Sequence, residues 1–138
     1  MIDSVKAVVL AGGKGTRLQG IISDIPKPMA PVGEKPFLEY IVLQIRKWGI
    51  KEIIMSVGHK KETIKDYFND GKRWGVDIEY CEEDNPLGTG GALRKAIFSS
   101  KGNRYVVMNG DSFLDINLGR LMRYHEEKKA MFTIGLVQ

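Results

Sequence analysis

Five short apolar runs recur along the chain with helix-patterned stretches between them. They are Lys6–Ala11, Glu52–Val57, Val76–Tyr80, Tyr105–Met108 and Met131–Val137. Each has strand length and is rich in β-branched or aromatic residues. Phe37, Tyr40, Ile41, Ile45 and Trp48 recur at helical spacing in the first interval, with Pro36 at the expected first helical position. Ile64, Tyr67 and Phe68 mark a second helix that stops near Gly71, and Leu93, Ala96 and Ile97 mark a third. Leu118, Leu121, Met122 and His125 mark a fourth, with Asn117 as its N-cap. Strand alternating with helix is the signature of a parallel sheet covered on both faces. Most of the strands read as apolar throughout, as burial on both faces demands. The Val76–Tyr80 run alternates instead and reads as an edge. The expected fold is α/β: a three-layer, Rossmann-like sandwich around a mostly parallel sheet, with ligands beyond the C-terminal strand ends.

Composition removes several other classes. At 138 residues, 43% hydrophobic and 28% charged, the chain reads as one globular domain, not a disordered one. Cys81 is the single cysteine, so no internal disulfide framework exists. No uncharged run exceeds nine residues, and Asp3 and Lys6 interrupt the start, so neither a membrane span nor a signal peptide is expected. The expectation is a cytoplasmic protein without a membrane partner. The formal charge of +4 is spread among acids with no basic run, which argues against a nucleic-acid partner. His59 and His125 share no motif and read as a strand-end and a helix residue. Cys81, Trp48, Trp74 and the methionines read as packing or rim residues.

The strand-end rule directs attention to three segments. Leu10-Ala-Gly-Gly-Lys-Gly-Thr-Arg-Leu18 follows the first strand, and its glycines let successive N–H groups turn inward to form an anion cradle. It matches neither the dinucleotide fingerprint, because Leu18 stands where the last glycine is required, nor the P-loop, because no Gly-Lys-Ser/Thr occurs. The connection from Lys14 to Lys35 is also long for a βα turn, and Pro26, Pro28 and Pro31 stiffen it around Lys27. The second segment, Glu82-Glu-Asp-Asn-Pro-Leu-Gly-Thr-Gly-Gly-Ala92, has glycines that admit close approach of a flat ligand. The third, Val106-Val-Met-Asn-Gly-Asp-Ser112, ends a strand in a carboxylate suited to a hard cation bound to phosphate. Taken singly, the second segment also fits a plain turn into a helix, and the third a polar turn.

Together the three are far more specific. Leu10 to Leu18, Lys27-Pro-Met-Ala-Pro-Val32, Pro86-Leu-Gly-Thr-Gly-Gly-Ala92 and Asn109-Gly-Asp111 resemble, in order, the sugar-1-phosphate nucleotidyltransferases. The resemblance covers essentially the whole chain. Asp24-Ile-Pro-Lys-Pro-Met-Ala-Pro-Val32 and Lys35-Pro-Phe-Leu-Glu39 look most similar to D-glycero-α-D-manno-heptose 1-phosphate guanylyltransferases, with mannose-1-phosphate guanylyltransferases as near relatives.

The resemblance implies that a sugar 1-phosphate attacks the α-phosphate of a nucleoside triphosphate, releasing pyrophosphate and a nucleotide-sugar for surface polysaccharides. It implies a nucleotide site at Leu10, Ala11, Gly12, Gly13, Gly15, Thr16, Glu83, Pro86, Gly88, Thr89, Asn109 and Gly110. Arg17 and Lys27 would be the catalytic cations and Asp111 the Mg²⁺ ligand. Glu83 falls where the family contacts the base. A carboxylate there suits the paired N1–H and N2–H₂ donors of guanine, so GTP is the expected donor, although Glu82 or Asp84 serves if the loop register differs. Two other classes are weighed against this: a non-catalytic nucleotide-binding module, disfavoured by the presence of Arg17 and Lys27, and a dinucleotide oxidoreductase, disfavoured by the failed fingerprint.

Members of the family continue well past the fifth strand. Residues 1–138 are therefore expected to be the N-terminal nucleotide-binding part of a longer domain, inactive alone, with an exposed final strand that favours homo-oligomerisation.

Overall fold

The computed structural model describes residues 2–13 and 25–136. Its centre is a parallel four-stranded sheet built from β1 (Val5–Leu10), β4 (Glu52–Val57), β5 (Asp77–Glu82) and β6 (Arg104–Asn109). Two-residue strands β2 (Pro31–Val32) and β3 (Lys35–Pro36) form a separate antiparallel pair, which turns at Gly33 with φ of 64°. The helices are α1 (Phe37–Lys47), α2 (Lys61–Phe68), α3 (Gly88–Ser99) and α4 (Leu118–Glu127).

The sheet order is β5-β4-β1-β6. The chain thus steps outward in one direction from β1, then returns across it to lay down β6 on the other side. A right-handed crossover places its helix on a face set by the direction of the step. The reversal accordingly puts α3 on the face opposite α1 and α2. One face buries Ala7, Val9, Ile53, Met55 and Val57 under Leu38, Ile41, Ile45, Ile64, Phe68 and Leu118. The other buries Val8, Ile54 and Cys81 under Ala96. Alternate residues of each strand supply the two faces, as the pleat requires.

All four helices form where the periodicity places them. Asn117 caps α4, its Oδ1 accepting from the Arg120 N–H at 3.0 Å. Pro36 is the N-cap of α1 and not its first helical residue as expected, which is Phe37; its extended backbone, with ψ of 146°, sets the entry. Trp74 is a packing residue, with its ring 4.9 Å from that of Phe68 and 5.6 Å from that of Tyr67. The alternating run is indeed an edge strand, β5.

Two expectations need correction. The Met131–Val137 run does not form a strand over its described part, residues 131–136. Strand geometry persists where a ladder partner supplies hydrogen bonds, and among the described residues β6 pairs only with β1. Met131, Phe132, Ile134 and Leu136 are all exposed. The second correction follows from the first. β6 is an edge, its side chains half-buried to exposed, and does not have the two-sided burial its composition suggested. No helix among the described residues is long and apolar enough to cross a membrane.

One buried charge bears on stability. Glu39 of α1 is 7% exposed and accepts from the Tyr67 hydroxyl, with Lys35 at 3.6 Å. Burial pushes its carboxyl up, but the hydrogen bonds from Tyr67 and Trp74 and the charge of Lys35 outweigh it and hold the group below the ordinary glutamate value. A depressed carboxyl adds stability that is fully present above its unfolded pKa and is lost as pH falls through the folded one. Glu39→Gln should therefore cost about 1–3 kcal/mol at neutral pH, and much less when urea unfolding is repeated near pH 3. An equal loss at both pH values would show that charge plays no part.

Candidate nucleotide-binding site

The strand order reverses between β1 and β6, and at such a reversal open α/β sheets bind ligands in the crevice beyond the C-terminal strand ends. The backbone closes this junction tightly. The Gly110 N–H donates to the Leu10 carbonyl at 2.9 Å, and Ala11 donates to Ser56 of β4 at 2.8 Å. Three of the expected residues, Leu10, Ala11 and Gly110, are thus joined at the floor of the crevice. Asn109 ends β6 beside Leu10, its register partner.

Lys27 and Asp111 meet over this floor. Lys27 opens a 3₁₀ turn, Lys27–Met29, flanked by Pro26 and Pro28, which are buried with Met29. The prolines fix the backbone and the buried side chains anchor it, so the lysine stands on a rigid base. Its Nζ lies 2.9 Å from Asp111 Oδ2, and both side chains keep about a third of their surface exposed, at 36% and 35%. Asp111 Oδ1 also accepts from the Ser112 hydroxyl at 3.2 Å.

Glu83 reaches the same crevice from β5. The pleat turns Glu82 toward α2, where Lys61 at 3.3 Å and Lys65 hold it. Glu83 points the other way, and its carboxylate lies over Gly12: a Cβ built on Gly12 would come within 2.6 Å of Glu83 Oε2. Glycine at 58 allows the approach, since a Cβ there would lie 3.1 Å from the Gly12 carbonyl. Glu83 Oε1 is buried with no hydrogen-bond partner among the described residues. Burial pushes its carboxyl above the ordinary glutamate value, against the opposing charge of Lys95. A buried acceptor without a partner is costly unless a ligand supplies a donor. The strand-end geometry therefore favours Glu83 over Glu82, while Asp84 is exposed.

Pro86, Gly88 and Thr89 are exposed at the start of α3, and a Cβ on Gly13 or Gly88 would meet nothing within 4 Å. Gly15, Thr16 and Arg17 lie outside the described residues. Among the described residues, no three His, Cys, Asp or Glu side chains gather into a metal cluster. The donor set at Asp111 is one hard carboxylate beside an open crevice, which fits Mg²⁺, an ion that takes one or two carboxylates and completes its shell with water and phosphate oxygens.

Sequence reasoning missed two supporting residues. Gln44 of α1 donates from Nε2 to the Leu114 carbonyl at 2.9 Å and so holds the segment following Asp111. The signal was a polar residue beside the apolar stripe of Ile41 and Ile45. Lys95 of α3 donates to the Glu82 carbonyl and fixes the end of β5.

The reversed strand order with helices on both faces defines an α/β protein of the doubly wound kind. Residues 6–138 match the model of the Nucleotidyl transferase family, and the chain belongs to that family. It is 51% identical over 117 residues to a D-glycero-alpha-D-manno-heptose 1-phosphate guanylyltransferase of Campylobacter jejuni, covering 85% of this chain and 52% of that protein. It is 42% identical over 133 residues to the enzyme of the same name from Aneurinibacillus thermoaerophilus, covering 96% and 57%. The crystal structure of HddC from Yersinia pseudotuberculosis complexed with GMP-PN superposes with a TM-score of 0.79 at 32% identity, covering 87% of this chain and 53% of that one. The chain thus spans about half the length of the relatives it matches.

Proposed function

We propose that the protein transfers a guanylyl group from GTP to a sugar 1-phosphate, with D-glycero-α-D-manno-heptose 1-phosphate as the acceptor and mannose 1-phosphate as the second candidate. What carries this reading is the Lys27–Asp111 pair next to Gly110 and the carboxylate of Glu83 over Gly12, unpartnered among the described residues, both beyond the C-terminal end of β1. Relatives bearing the heptose 1-phosphate guanylyltransferase name support the choice of sugar and base.

The chemistry follows from the charges. A non-bridging oxygen of the sugar phosphate forms a bond to the α-phosphorus of GTP. The bond from that phosphorus to the β-bridging oxygen breaks, and its electron pair leaves with pyrophosphate. The nucleophile is already ionised at neutral pH, since the second pKa of a phosphate monoester is near ~6. No general base is needed. The barrier is the approach of one anion to another, so catalysis rests on positioning and charge compensation. Lys27, on its rigid base, bridges the α-phosphate and the incoming phosphate. The backbone from Gly12 to Thr16 cradles the triphosphate, and Arg17 holds the departing β- and γ-phosphates. Glu83 accepts from the guanine Watson–Crick edge, with Pro86, Gly88 and Thr89 along the base and Asn109 and Gly110 beneath the nucleotide. Asp111 would hold Mg²⁺, which supplies neutralising charge to phosphate oxygens.

Calorimetry tests the base assignment. GTP should bind more tightly than UTP or dTTP, and Glu83→Gln should narrow the gap by about 1–3 kcal/mol. A preference of the unmodified protein for dTTP or UTP would overturn the guanylyl reading. Pyrophosphate release with heptose 1-phosphate and with mannose 1-phosphate tests the acceptor.

The same carboxylate sets a pH dependence. GTP requires Glu83 ionised, and burial holds its pKa above the ordinary glutamate value. Affinity for GTP should therefore fall as pH drops through that raised value, while Glu83→Gln should show a flat profile over the same interval. A slope retained in Glu83→Gln would assign the titration to another group.

A further inference from the structure

We propose that Lys27 and Asp111 form a latch that keeps divalent metal out of the site until nucleotide arrives; this rests on the nucleotide-site reading above. In the free protein both Asp111 oxygens are engaged, Oδ2 by the Lys27 ammonium at 2.9 Å and Oδ1 by the Ser112 hydroxyl at 3.2 Å. The ammonium stands where a cation would sit, so a divalent ion meets an occupied carboxylate and a like charge beside it. With no cluster of three ligating side chains among the described residues, Asp111 has little help in competing for metal alone.

Nucleotide changes the balance. The pair is about a third exposed, so the ion pair is weak enough to break. A triphosphate offers Lys27 several anionic oxygens in exchange for one carboxylate. The buried Pro26, Pro28 and Met29 fix the backbone on both sides of Lys27, so the exchange needs rotation of the lysine side chain alone. Asp111, released, then shares the metal with the phosphates. Lys27 thereby couples the two ligands: metal strengthens nucleotide binding and nucleotide strengthens metal binding by the same factor.

Mn²⁺ binding followed by electron paramagnetic resonance tests the latch, with and without GTP. Lys27→Met should bind Mn²⁺ without nucleotide roughly 2–5-fold more tightly than the unmodified protein. Lys27→Gln, a polar neutral replacement, should do the same. Adding Asp111→Asn to either variant should remove the gain. If both lysine variants bind nucleotide-free Mn²⁺ no more tightly than the unmodified protein, while GTP still binds by calorimetry, the latch is wrong and the site reading stands. If GTP does not bind the unmodified protein in any Mn²⁺ concentration, the site reading itself fails.

Discussion

On the function proposed above, Lys27→Ala in a chain spanning the relatives' full length should lower kcat for nucleotide-sugar synthesis by about 10²–10³-fold while weakening GTP binding far less. The magnitude is that of removing one preorganised donor aimed at charge that develops in a transition state. The asymmetry follows from the proposed role, in which the lysine compensates two phosphates at once only when attacking and transferring groups are in contact. In the free protein Lys27 is held by Asp111 on a rigid proline-flanked turn, so its ammonium already stands at the strand-end carboxylate. The fold should barely register the change, because an ion pair about a third exposed contributes at most about 1 kcal/mol. Steady-state kinetics with heptose 1-phosphate, together with urea unfolding, separates the two effects. A kcat within tenfold of the unmodified enzyme would remove Lys27 from its assigned role. Arg17→Ala should follow the same pattern through the departing pyrophosphate.

The parts of this site differ in how far sequence alone could specify them. Gly12 and Gly13 at the end of β1 and Asp111 at the end of β6 could be placed from sequence because each is local: the glycines directly follow one apolar run and Asp111 follows another. The partnership of Lys27 with Asp111 was not, since it depends on β6 returning beside β1 after three intervening helices. The choice between Glu82 and Glu83 turned on the end of a strand. The alternating run suggested an end at Tyr80, whereas β5 continues to Glu82. Because the pleat reverses side-chain direction at every residue, only the observed end decides which glutamate faces the crevice. The helices were legible throughout, as each carries its own apolar stripe. Residues 131–136 of the Met131–Val137 run failed as a strand for the opposite reason: β-rich composition describes a residue's suitability for a sheet, and the sheet must exist beside it.

Gly110→Val should reduce kcat by about 10²-fold and cost about 1–3 kcal/mol of stability. Gly110 is buried between the last residue of β6 and Asp111, and it donates to the Leu10 carbonyl at 2.9 Å. A Cβ there would sit 3.2 Å from Ala11 Cβ, 3.3 Å from the Leu10 carbonyl oxygen and 3.3 Å from Leu38 Cδ1. Two of these neighbours belong to the β1 end and the third is a fully buried core residue, so none yields as a flexible surface chain would. The added branches of valine therefore force the ends of β1 and β6 apart. Asp111 is the next residue and moves with them, and a displacement of about 1 Å at a positioning group is enough for a hundredfold loss of rate. The sheet behind it stays intact, because β1 remains laddered to β6 over Val5–Leu10 and to β4 over Ala7–Leu10. Gly110→Ala should fall between the two, since its single methyl needs only a few tenths of an ångström. Turnover measured beside urea unfolding decides the matter: if Gly110→Val keeps normal turnover and stability, the junction is looser than these contacts require.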